Sequence, residues 1–554
     1  MSGRRGTTLR GFIAALALFG LGACGGGEGQ QSAPAITVGT GSTQTPSPAP
    51  TPTASTLVLA ADGPVTRPGW LTFTAGGGDA VTRVELYRGG ELVGSDDSRD
   101  FGFRVAYTAS ANRTDRYEAR GFDQSGRQVA STTLDIDVSI GRVIYVAEAG
   151  SDAASGLSES APKRTLQAAH AITQPGDSVL VMNGTYFQAN ANANILTITR
   201  SGRPDAWIAY IGFPGHTPML KARNWNAVGV QASYIIVEGL TLEGNRAEIT
   251  LQQAQAEANN LANPVTSGNG IGITPPQENP NQRPAHVVIR GNEVRDFPGG
   301  GIYASGADYL TIERNRVYRN AWYAPYANSG ISIYQPWNSD NSTATKMIIR
   351  ENVAYENYNF IPFYYSDPDP AKRRVTDGNG IIIDDFRNTQ RGSGLGIYPG
   401  RALIENNIVF DNGGRGINVF SSNRVDVINN TSWLNARHPD IASEIAVTDA
   451  DDVQVLNTIL FARPDKLASQ ISRATNVAFS FNLVFGGTGF AAGSGQSNLT
   501  GDPRFADPAK KDFRLLTGSP AIDAARTLGS PAVDILGNRR PRGSGVDIGA
   551  IESF

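Results

Sequence analysis

His286-Val287-Val288-Ile289-Arg290-Gly291-Asn292-Glu293-Val294 and Tyr309-Leu310-Thr311-Ile312-Glu313-Arg314-Asn315-Arg316-Val317 are two copies of one pattern, offset by 23 residues (309 − 286). The pattern returns at Met347 to Val353, Leu403 to Val409 and Val425 to Thr431. A period of 20–50 residues marks a solenoid, in which each unit buries its apolar side on its neighbours. Units this short and this rich in β-branched residues suit a strand-built rung and not a helical hairpin. Alternation places Val288, Leu310 and Ile348 inward. Each copy carries an Asn where the strand must turn, a residue that tolerates left-handed backbone and bonds along a stack of its own kind. These Asn are read as structural. Rungs about 4.8 Å apart make a rod of roughly 50 Å, whose long face suits an extended polymer.

Outward from this repeat the chain changes character several times. Ile144-Tyr145-Val146, the stretch Thr165 to Ile172 and Gly184-Thr185-Tyr186 precede the rungs. They strongly resemble the N-terminal cap of right-handed parallel β-helix proteins of the pectate-lyase-like family, with Thr165 to Ile172 as a short capping helix. The resemblance implies a β-helix over 141–500. Residues 501–554 resemble the tail found after bacterial β-helices, covering the last rung; their Asp residues read as turn formers. Before the rod, 57–140 holds short alternating runs split by Gly-rich turns, the spacing of a β-sandwich. Val84 to Gly94 resembles immunoglobulin-like modules of bacterial surface enzymes. The fold class is all-β: a right-handed parallel β-helix preceded by a small β-sandwich, read as a spacer.

Arg4, Arg5 and Arg10 followed by the apolar run Phe12 to Leu21 form a signal peptide over 1–23. Leu21-Gly22-Ala23-Cys24 resembles a lipobox, which implies acylation of Cys24, the one Cys of the chain. Residues 24–56 are a Ser/Thr/Pro-rich tether. The expected localisation is therefore export, with a lipid anchor in the outer membrane or at the cell surface. A net charge of −3 argues against a nucleic-acid binder, and one Cys with four His argues against a zinc or disulfide framework. A monomer is expected.

Regular rungs break at 246–282, 321–345 and 355–401, and long loops on a rigid scaffold are where binding concentrates. Trp322, Tyr323, Tyr326, Trp337, Tyr364 and Tyr365 are candidates to stack on sugar rings, with Arg373 and Arg374 as charged contacts. The densest acidic run is Asp377-Gly378-Asn379-Gly380-Ile381-Ile382-Ile383-Asp384-Asp385, followed one rung later by Arg415. Carboxylates on consecutive turns are the oxygen ligands that Ca²⁺ takes. The family resemblance implies a polysaccharide lyase on an acidic, uronate-containing glycan. It would bind Ca²⁺ at Asp377, Asp384 and Asp385, with Arg415 or Lys372 as base. An arginine base needs strong local help, because its guanidinium is ordinarily protonated. Glycoside hydrolysis by paired carboxyl groups, C5-epimerisation and a non-catalytic adhesin rod are the alternatives.

Overall fold

The computed structural model describes residues 56–98 and 101–553. The signal peptide, Cys24 and almost all of the tether lie outside these residues. From Val143 onward the chain winds through three parallel sheets. An eleven-stranded back sheet runs from Val143–Val146 to Thr475–Ser480, and an eleven-stranded side sheet from Thr185–Phe187 to Leu499–Thr500. A nine-stranded front sheet runs from Leu196–Ile198 to Leu467–Ser472. Each complete rung takes one strand from each, as in Thr345–Arg350, Val353–Tyr355 and Ile381–Asp384. The cap is as expected: Thr165 closes the start of helix Leu166–Ile172, its side chain accepting from the Ala168 N–H.

The register explains the interior. Ile331, Ile381, Ile417 and Ile445 align on successive rungs, and Ile333, Ile383, Val419 and Val447 form the parallel file. All are essentially inaccessible, and burying each aliphatic side chain is worth about 2 kcal/mol. Val287 aligns with Leu310 and Met347, all inward, whereas Val288 aligns with Thr311 and Ile348, all outward. Val288 and Ile348 thus reverse the sequence expectation, while Leu310 keeps it. The polar Thr311 in register with them is the signal of an outward row. Val288 is apolar because it packs against the sandwich.

Two files of Asn stitch the corners. Asn292, Asn315, Asn352, Asn407 and Asn430 pass hydrogen bonds from rung to rung, Asn352 Nδ2 donating to Asn407 Oδ1 at 3.0 Å and to the Ile312 carbonyl at 2.8 Å. Asn320, Asn357, Asn412 and Asn435 repeat this at the side-to-front corner and end on Glu444. The left-handed residue in the first file is the one before the Asn, such as Arg314 or Glu351. The Asn therefore serves through its amide and not through its φ.

The region before the rod forms three- and four-stranded antiparallel sheets around a common core. That core continues into Tyr145, Leu180, Ala209, Ile211 and Ile236 on the outer face of the back sheet. The sandwich is thus fused to the rod. Leu499–Thr500 adds a last strand to the side sheet, and the tail then turns back along that sheet. Phe513, Ala550 and Ile551 pack on Tyr318, Tyr355 and Phe410, stacked side chains of three rungs. The tail therefore covers a flank of the rod.

Candidate functional site

Over the front sheet the connections rise into two walls. One is built from 244–268, 319–330 and 356–380, which lead into front strands. The other is built from 335–344 and 385–400, which leave them. Between the walls the outward side chains of the sheet form a floor. Tyr334, Asp384 and Phe420 share one register position on three successive rungs. Asp384 therefore lies between two aromatic residues along the rod axis.

Asp377 and Arg415 stand at the foot of two adjacent floor strands. Their seating depends on backbone contact between Asp377-Gly378-Asn379-Gly380 and Gly413-Gly414-Arg415-Gly416. The Gly414 N–H donates to the Gly378 carbonyl at 2.8 Å, and the Gly380 N–H to that of Arg415 at 2.9 Å. A Cβ on Gly414 would lie 2.5 Å from the Asn379 nitrogen, so no side chain fits there. Gly378 carries φ +85°, which glycine alone adopts without strain.

Asp377 is almost fully buried, and burial pushes its carboxyl up to about 6. Thr376 Oγ1 at 2.7 Å, the Arg415 charge and Asn379 Nδ2 at 2.8 Å oppose that rise. Asp384 is pushed well above the ordinary carboxylate range, chiefly by burial and then by the charge of Asp377. Gln390 Nε2 donates to its Oδ1 at 2.7 Å. Burial pulls the Arg415 guanidinium below its usual value, and Asp377 pulls the other way. Arg415 Nε is buried with no hydrogen-bond partner, and no carboxylate lies within ion-pair distance of its side chain among the described residues. The result is two carboxyl groups that hold protons unusually well, beside a half-buried cation.

Asp385 does something else. Its side chain is inaccessible and its carboxylate accepts from the Thr389 N–H and Oγ1, the Gln390 N–H, Gln335 Nε2 and Ser421 Oγ. Five donors consume its lone pairs, so it anchors loop 385–400 and is not a metal ligand. Among the described residues no three Asp, Glu, His or Cys side chains gather as a cation site. The expected three-carboxylate Ca²⁺ site does not fit this arrangement. Lys372 is also displaced from its expected role: it is exposed on a short 3₁₀ turn and paired with Asp369 at 3.4 Å.

The aromatic candidates divide. Tyr323 is buried with Ile249, Ala254 and Ile361 in a small core that locks 244–268 to the other loops of the first wall. Trp322 packs beneath Arg246 at 4.0 Å and donates to the Glu356 carbonyl. Tyr326 donates to the Leu261 carbonyl, and Trp337 Nε1 to that of Pro284 at 3.1 Å. These four hold walls together. Tyr364 lies under Arg373 at 4.1 Å, and Arg373 bonds Asn259 at 2.7 Å. Tyr365 and Arg374 are exposed. Arg391, which the sequence reading passed over, crosses from the second wall and places its guanidinium 3.9 Å over the Tyr365 ring. The second wall rests on a buried ion pair, Lys346 to Asp308 at 2.7 Å. Asp308 also accepts from Tyr398 Oη and Ser339 Oγ.

The sequence profile described as right handed beta helix region matches residues 225–372 and 373–502, more than half of the chain. No curated protein matches the sequence. Among solved structures, a pectate lyase is 17% identical, with 75% of this chain and 97% of that chain covered and a TM-score of 0.45. A Yersinia enterocolitica family 28 exopolygalacturonase is 11% identical, with 82% and 89% covered and a TM-score of 0.38. The A-module of an Azotobacter vinelandii mannuronan C-5 epimerase is 14% identical, with 59% and 91% covered and a TM-score of 0.30.

Proposed function

This chain belongs to the right-handed β-helix family, and from that premise we propose that it is an enzyme that cleaves an acidic, uronate-containing polysaccharide by β-elimination. The observation that carries the reading is Arg415: a half-buried guanidinium whose Nε is sealed from solvent without a hydrogen-bond partner, beside two carboxyl groups with raised pKa. A partly desolvated cation without a partner is costly, and a substrate carboxylate is its natural complement. Neutralising that carboxylate makes the C5 proton of a uronate more acidic.

The two acids then divide the proton transfers. Asp377, at about 6, is mostly ionised near neutrality and takes the C5 proton. The C5–H electrons form a C4–C5 double bond and the C4–O4 bond breaks. Asp384, whose carboxyl is pushed upward by burial and by the Asp377 charge, gives its proton to the departing O4. An acid and a base tuned apart by their surroundings are the usual requirement for such paired transfers. Arg415 acts on charge, and neither it nor Lys372 serves as base.

The test is incubation with polygalacturonate, alginate and glucuronan, following ultraviolet absorbance of the unsaturated product and new reducing ends together. Elimination gives both signals in step, unchanged by EDTA. Reducing ends without absorbance mean hydrolysis. Loss of turnover on chelation, restored by Ca²⁺, returns the carboxyl groups to a metal-binding role.

A further inference from the structure

The floor of the groove has a direction. The register file that holds Asp384 runs Ser305, Tyr334, Asp384, Phe420, Thr448, Ser472. Successive members are one rung apart, about 4.8 Å, so a polymer laid along this file meets one floor side chain per rung. On the Phe420 side the file continues as partly accessible hydroxyls, Thr448 and Ser472, which suit a polar chain.

The walls are not equal along that line. Beside Tyr334 and Asp384 they are the long segments 319–330, 335–344, 356–380 and 385–400. From Phe420 onward the second wall shrinks to the pairs Ser421–Ser422, Asp449–Ala450 and Arg473–Ala474. The first falls to 411–416, 434–442 and 463–466. At Ser305, one rung beyond Tyr334, the connections are again short, 296–301 and Gly306–Ala307, so the groove is deep beside Tyr334 and Asp384 and open from Phe420 onward. Over the deep stretch Arg391 and Tyr365 meet across it at 3.9 Å. Both supports are fixed: 356–380 by its small core with Ile249 and Ala254, and 385–400 by Asp385 and the Lys346–Asp308 pair.

We infer that the enzyme works from a chain end. Resting on the reading above, the glycan enters over Ser472, Thr448 and Phe420. Its terminal residues lie beside Asp384 and Tyr334 under the Tyr365–Arg391 bridge, which keeps an unbroken chain from settling into the groove from above.

Two measurements decide this. In the first, polymer viscosity is followed against bonds cleaved. Chain-end action leaves viscosity nearly constant while a single short product accumulates from the start. A rapid fall in viscosity with mixed product lengths overturns the inference. Tyr365→Ala with Arg391→Ala opens the bridge and should broaden the products toward mixed lengths; an unchanged single product from this variant also overturns it. The second is independent of turnover. Asp377→Asn protein is titrated with oligouronides carrying a bulky fluorophore on one terminus or the other. A tenfold or greater loss of affinity with one terminus blocked and little loss with the other supports threading of one chain end beneath the bridge. Equal binding of both, or no binding of any oligouronide, overturns it. Absence of cleavage with terminus-dependent binding sinks the elimination chemistry and leaves the closed groove standing.

Discussion

Gln390 Nε2 donates to Asp384 Oδ1 at 2.7 Å, while the Gln390 backbone N–H is held at 2.8 Å by Asp385. Two adjacent carboxylates thus have opposite duties. Asp384 faces the groove, and its neighbour fixes the residue that orients it. The left-handed φ of 52° at Asp385 turns the chain out of the strand and separates the two side chains.

Asp385→Ala removes the acceptor of five hydrogen bonds, two of them from the exposed Thr389, and should cost about 2–4 kcal/mol in stability. Turnover should fall with it, because Gln390 and Arg391 lose their anchor. Asp385→Asn keeps two to three of the acceptor contacts and should recover part of both. Urea unfolding and steady-state rates on the two variants check this ordering; equal rates in wild type and Asp385→Ala would remove Asp385 from any positioning role.

The pH profile follows from Asp377. Activity should rise through about pH 6 as its carboxyl ionises. Arg415 holds the Asp377 value down, so Arg415→Gln should move the acid limb to higher pH besides lowering kcat. A pH–rate series on both proteins reads the shift, and an acid limb that stays put contradicts the coupling.

Glu444 ends the second Asn file, fully buried, with its carboxyl pushed up to about 7 by burial. The folded value lies above the unfolded 4.5, so the folded state binds the extra proton between them. Its contribution is full below about 4.5 and is lost as pH rises through 7, a change of a few kcal/mol. Glu444→Gln should flatten that slope whatever constant cost the amide carries. Urea midpoints at pH 5 and pH 8 decide it.

Arg540 and Glu552 form an ion pair at 2.9 Å with 1% and 0% side-chain exposure. Removing one partner of such a pair costs about 3–5 kcal/mol. Glu552→Ala should loosen the tail and uncover Phe513 and the Tyr318–Tyr355–Phe410 stack. Increased binding of an apolar dye at unchanged β-sheet circular dichroism would report this. Normal dye binding and an unshifted Tm would show the tail is held without it.

The rod was legible because its turns repeat an Asn that the fold needs as an amide, so spacing alone exposed the rungs. The phase of one strand was not: Val288 and Ile348 are outward because the register pairs them with Thr311, and pairing is invisible without knowing which rungs touch. Asp377 and Arg415 stood out through the glycines that let their segments meet. Asp385 misled because composition cannot tell a groove-facing carboxylate from one buried under five donors. Tyr334 and Phe420 matter by lying in register with Asp384, 50 and 36 residues away in sequence (384 − 334 and 420 − 384). Arg391 matters by crossing to Tyr365. Neither relation leaves a local signature.

The sandwich and the first rungs hold one continuous core through Tyr145, Leu180, Ala209, Ile211 and Ile236. This bears on ancestry. A module joined by a string can be traded between proteins at no structural cost, but one joined by a core must arrive with a matching surface on its host. The outward side chains of the opening turns and the face of the sandwich that meets them are therefore one packing problem, and a change on either surface is felt by the other.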